Sequence, residues 1–124
     1  MPSTSFFVEL RLVVLSMENG EPSVLFQESR LPFAQLEGDL ESEVLRLIER
    51  VTTYKLPSLH HWWLPVGNSE PVLVGGDTIV LSYGLTVDRR LFVVPQGMQW
   101  KSLYRLEENE ESQIISNVMR SLCH

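Results

Sequence analysis

The stretch LPFAQLEGDLESEVLRLIERVTTYKL, Leu31–Leu56, decides how this chain is read. Its first eight residues have the look of a phosphate-handling loop, and the rest has the periodicity of a helix. Asp39 is placed as an N-cap, Glu41 and Glu43 suit the positive end of the helix dipole, and Pro57 lies just past the last turn. The spacing predicts a helix over 39–55. Leu40, Val44, Leu47, Ile48 and Val51 form its apolar stripe, which Leu45 widens. Ser42, Glu43, Arg46, Glu49, Arg50 and Thr53 make the opposite face, so the apolar side packs on a sheet and the polar side stays available.

Working outward, FFVELRLVVL (6–15) reads as a strand with Val8, Leu10, Leu12 and Val14 on its buried face and Glu9 and Arg11 on the other. Asn19-Gly20 signals a tight turn, and SVLFQE returns as the second strand of a hairpin. Beyond the helix, SLHHWWLPV, EPVLVGG, DTIVLSYGLTV and RRLFVVP read as strand-rich runs separated by turn material. A second helix is expected from about Asn109 to Leu122. Its stripe is Ile114, Ile115, Val118, Met119 and Leu122, behind an acidic first turn, Glu107-Glu108-Asn109-Glu110-Glu111. The order predicts one α/β domain over 1–124, with a mixed sheet and helices on its faces.

Composition bounds the function. With 44% hydrophobic residues and 21% charged, the chain can bury a core. A net charge of -6 with scattered Lys and Arg argues against nucleic acid as the main partner. Cys123 is the one cysteine, which excludes an intrachain disulfide and points to a reducing, cytoplasmic setting. The N-terminal run is broken by Glu9 and Arg11, unlike a signal peptide, and no apolar stretch reaches membrane-spanning length.

The layout of hairpin, loop, helix, strands and helix resembles the Nudix domain, whose signature is G-x5-E-x7-R-E-U-x-E-E-x-G-U entered through L-P-G-G. Leu31-Pro32-Phe33-Ala34 stands where L-P-G-G would stand, and Glu37 follows as an acidic residue often does. In that register Glu49 falls on the first glutamate of the core and Leu56 on the final apolar position. The same register puts Ala34 on the motif glycine, Leu40 on the loop glutamate, Ile48 on the arginine and Lys55 on the second glycine. Thr52 and Thr53 fall on the two metal-binding glutamates. Shifting by one residue aligns Glu41 and Val51 but loses Glu49. Pro32-Phe33-Ala34-Gln35 is also similar to a P-F-A-G stretch in Nudix-like regulators of NAD metabolism, which would make the catalytic loop a shortened one. The run from Trp100-Lys101-Ser102-Leu103 through Leu106 is similar to the way such domains end.

The resemblance implies an α/β/α sandwich with a mixed sheet and two main helices, and a hydrolase only if carboxylates can hold magnesium. Two or three at helical i, i+3, i+4 spacing would do so, but Glu49 has Thr52 and Thr53 at those offsets. No catalytic residue and no metal ligand is therefore assigned, and no cofactor is expected. The expectation is a catalytically degenerate Nudix-like domain that binds another protein, itself or an ADP-ribose-like nucleotide. Arg30, Arg46 and Arg50 are then the candidates for phosphate contacts. His61, Trp62 and Trp63, in the unusual run His60-His61-Trp62-Trp63, are candidates for an interface. Adjacent strand histidines point to opposite faces, which disfavours a zinc site. Two other readings stay open. One is a divergent magnesium-dependent hydrolase of nucleoside diphosphate derivatives, with Glu37, Glu41 and Glu49 as surviving metal or base residues. The other is an unrelated small α/β assembly subunit.

Overall fold

In a computed structural model of the chain, residues 6–18, 20–59, 64–106 and 110–122 are described. The central strand β1 (Phe7–Glu18) is flanked on one edge by the parallel strand β6 (Thr78–Thr86). Its other edge is shared: β2 (Glu21–Gln27) pairs with residues 15–18 and the three-residue β3 (Phe33–Gln35) with residues 9–11, both antiparallel. The far edge of β6 is divided in the same way between β4 (Gly67–Asn68) and β5 (Val72–Val74). Strand β7 (Met98–Ser102) closes the sheet along β2, giving the order β4-β6-β1-β2-β7.

Helices α1 (Leu40–Thr52) and α2 (Glu110–Leu122) cover opposite faces, so the architecture is the expected α/β/α sandwich. On one face Leu10, Leu12 and Val14 of β1 and Leu25 of β2 meet Val44, Leu47, Ile48 and Val51 of α1. On the other, Val13, Leu15, Val24, Phe26 and Val80 meet Ile114, Ile115 and Val118 of α2. Each such fully buried aliphatic side chain contributes about 1.5–3 kcal/mol. Tyr83, on β6, packs partly buried against the α1 core, and burial pushes its phenol above the usual range.

Several elements differ from the sequence reading. Strand β1 is buried on both faces, and Arg11, expected on an open face, is buried as well. A central strand between two helical layers has no solvent side. Helix α1 ends at Thr52, before the expected 55, because Thr53 turns left-handed (φ 65°) and its N–H returns to the Glu49 carbonyl. Leu40, counted in the stripe, is exposed at the helix start. Residues 89–95, RRLFVVP, form a turn and an irregular loop instead of a strand, with Leu91 and Val93 in solvent. Asp88 sets that turn: its carboxylate accepts from the guanidinium of Arg90 and from the Arg90 backbone N–H, which holds the carboxyl below the usual range. The hairpin turn after β1 is consistent with Gly20 at φ 77°; Asn19 itself lies outside the described residues.

Candidate functional site

The loop before α1 is where a phosphate-binding backbone was expected, and most of that backbone is already engaged. The Pro32 carbonyl accepts from Leu12 N–H, Leu36 N–H donates to the Val8 carbonyl, and Phe33–Gln35 lies along β1 as β3. Phe33-Ala34-Gln35 therefore forms sheet, with Pro32 bonded to β1 beside it, instead of an open loop. Asp39 caps α1 as predicted, accepting from Ser42 N–H at 3.0 Å and from the Ser42 hydroxyl at 2.9 Å. Those bonds hold its carboxyl below the usual range.

The carboxylates considered for a metal are not gathered. Glu37 sits exposed in the loop, Glu41 in the first turn of α1 and Glu49 in the last. Glu41 and Glu49 are eight residues apart, or about 12 Å along the helix axis. Glu49 faces the Lys55 ammonium at 3.8 Å. Thr52, on a metal-ligand position of the motif register, is buried, and its hydroxyl donates to the Ile48 carbonyl at 2.6 Å while accepting from Tyr54 N–H. Thr53 is spent as the helix cap. Among the described residues no three His, Cys, Asp or Glu side chains come together as a metal site. These residues do not fit magnesium.

Two of the three arginine candidates do converge. Arg30 lies with its guanidinium 4.0 Å from the Phe33 ring centroid, and Arg50 donates to the Phe33 carbonyl at 2.7 Å. Arg30 also pairs with Glu9 at 2.9 Å, and Glu9 pairs with the buried Arg11. Arg11 reaches Glu111 at the start of α2, whose other oxygen accepts from Leu31 N–H. Glu111 was expected as dipole complement only; here it ties α2 to β1 and to the loop. Arg46 stands apart, paired with Glu43 one turn back. The interface candidates His61, Trp62 and Trp63, with His60, lie outside the described residues, as do Glu107, Glu108, Asn109, Cys123 and His124.

A second feature escaped the sequence reading. At the β7 edge, a groove of about 550 Å³ is lined by Glu21 and Ser23, by Trp100, Lys101 and Ser102 of β7, and by Arg89, Arg105 and Leu106. Consecutive strand residues point to opposite faces, so a groove touching Trp100, Lys101 and Ser102 follows the edge of the strand. The Arg89 guanidinium lies 5.5 Å from the Trp100 ring, whose edge-to-face partner is Phe92, and the Lys101 ammonium lies 4.8 Å from the Phe26 ring. Arg105 is exposed and forms no ion pair among the described residues. The linear signal was faint because Arg89, Lys101 and Arg105 come from three different segments.

No protein-family model matches the sequence, and no curated protein matches it. Solved structures do. The Nudix domain of Shewanella oneidensis NrtR, in a cocrystal with ADP-ribose, matches with TM-score 0.62 at 16% identity, over 97% of this chain and 90% of that one. NrtR with a 27mer DNA matches with TM-score 0.67 at 16% identity, over 93% and 61%. The C-terminal domain of mouse MUTYH, in a complex with human PCNA, gives 0.63 at 15% identity, over 92% and 87%. An Ap4A hydrolase from C. elegans, as a binary complex, gives 0.61 at 13% identity, over 94% and 97%. At such identities the likeness is one of three-dimensional arrangement, and the fold of this chain is Nudix-like.

Proposed function

We propose that this chain is a non-hydrolytic, Nudix-like binding module whose partner is another protein or a nucleotide-like ligand. The observation that carries the reading is the end of α1. The two positions aligned with metal-binding glutamates hold Thr52, whose hydroxyl is closed onto its own helix, and Thr53, which forms the cap. Neutral hydroxyls already engaged in this way do not replace two carboxylates around a hard cation. A fold can outlast its chemistry, since function resides in the site. The neighbours fit both kinds of partner: one binds ADP-ribose and another is complexed with PCNA. For this chain the net charge of -6 favours protein or nucleotide over DNA.

The test is a titration of the isotope-labelled protein with ADP-ribose and magnesium, with phosphorus spectra read from the same tubes. Binding without new phosphate resonances supports the module. Release of phosphate products, abolished by Glu49→Gln, would overturn it and establish the divergent hydrolase acting through Glu37, Glu41 or Glu49.

A further inference from the structure

We infer that the β7 edge is a docking site for an acidic peptide segment that adds to the sheet as an extra strand. The inference rests on the binding-module reading and names the partner. In the sheet order β4-β6-β1-β2-β7, β7 pairs only with β2, so no described strand occupies its outer edge. An unpaired edge presents backbone N–H and C=O groups that a second chain can satisfy. At five residues, β7 offers about 17 Å of such edge.

What surrounds the edge selects the occupant. The groove touches three consecutive β7 residues, so it reaches the edge where an added strand would lie, and it extends over the start of β2 at Glu21 and Ser23. Three of the chain's ten Lys and Arg line it (Arg89, Lys101 and Arg105), against a single carboxylate among the described residues, Glu21, in a protein whose net charge is -6. Arg89 and Lys101 are held over aromatic rings on opposite faces of the sheet, and Arg105 stands in the 3-10 turn just after β7. An incoming strand alternates its side chains between faces, so carboxylates on either face would meet a cation. Ser102 adds a hydroxyl. The Ser102 oxygen accepts from Tyr104 N–H, which leaves its hydrogen to donate outward. The same cations repel the basic β7 edge of a second copy, so self-pairing there is disfavoured. An extended acidic segment uses both the backbone edge and the charges.

The test uses the labelled full chain and a synthetic octapeptide of alternating Val and Glu, with an alternating Val and Lys octapeptide and inorganic pyrophosphate as comparisons. The acidic peptide is expected to shift the amides of residues 98–102 and to slow their hydrogen exchange, while the basic peptide does neither. Arg105→Glu combined with Lys101→Glu should weaken binding about tenfold or more, Arg105→Glu alone should weaken it measurably, and Arg120→Glu, which matches the charge change of that single variant elsewhere on the surface, should leave it unchanged. A single Arg105→Glu variant, at an exposed site, guards against loss of folding. Shifts centred on α1, equal binding of the two peptides, or pyrophosphate shifting the edge while the acidic peptide does not would each overturn the inference. These outcomes are independent of phosphate release from ADP-ribose, which tests the absence of hydrolysis.

Discussion

Asp39 shows how one side chain connects sequence, local structure and pH. Its carboxylate accepts from the Ser42 backbone N–H and hydroxyl, and both bonds lower its pKa from the ordinary 3.8. A carboxyl whose pKa is lowered by folding adds stability that is fully present above the unfolded value and is lost as pH falls through the folded one. Asp39→Asn should therefore remove a component of stability present near neutral pH and absent in strong acid, while keeping an acceptor for the cap. Asp39→Ala should lower the chemical-denaturation midpoint further near neutral pH. Urea unfolding of the three proteins at several acidic and neutral pH values checks the order. Glu111 is the second residue of consequence. Removing it leaves the buried Arg11 with Glu9 alone, so Glu111→Ala should cost about 3 kcal/mol. The pair Arg11→Met with Glu111→Leu should recover much of that, because an apolar pair carries no desolvation cost; a double-mutant cycle reads the coupling.

Among the elements, the contact of β6 with α2 is set by a missing side chain. A Cβ on Gly84 would lie 2.2 Å from Val118 Cγ1 and 3.0 Å from the Val13 carbonyl oxygen. Gly84→Ala should destabilise the protein by about 2 kcal/mol through forced displacement of the helix. Val118→Ala opens space at the same spot, so the double variant should be more stable than the sum of the two single changes. Denaturant titrations of all four proteins measure this, and strict additivity would show that α2 does not approach β6 this closely in solution. Helix α1 was legible in its apolar stripe and its cap, since both are local properties. Strand β3 was not: three residues carry no periodicity, and Phe33–Gln35 is a strand only because the N-terminal half of β1 has an edge left open by β2. The loss of a strand at 89–95 has a similar cause. Its apolar residues look strand-like, but the sheet path passes from β2 directly to β7.

For the whole molecule, the arrangement of charge gives a prediction about metal. Ligands that bind only the folded state raise its stability, by about 2.7 kcal/mol at a hundredfold excess over the dissociation constant. With Glu37, Glu41 and Glu49 spread over the loop and both ends of α1, magnesium at millimolar concentration should leave the unfolding midpoint where it was. A clear rise, lost in Glu49→Gln, would show that these carboxylates meet in solution.

The layer plan follows from local pattern alone. Two amphipathic helices, a first hairpin and a strong later strand are written in periodicities of 3.6 and 2, which depend on neighbours a few residues away. That the metal-binding positions of the Nudix-like register hold threonines is likewise a matter of residue identity. Which charges are buried and which meet depends on how distant segments pack together. Arg11 reads as a surface residue until β1 is found between two helical layers. Arg30 and Arg50, 20 positions apart, converge on Phe33, while Arg46 turns back to its own helix. Arg89, Lys101 and Arg105 form one basic groove because strand order places β7 at the edge of the sheet. Long-range pairing sets these meetings, and no local pattern encodes which strand will be left at the edge.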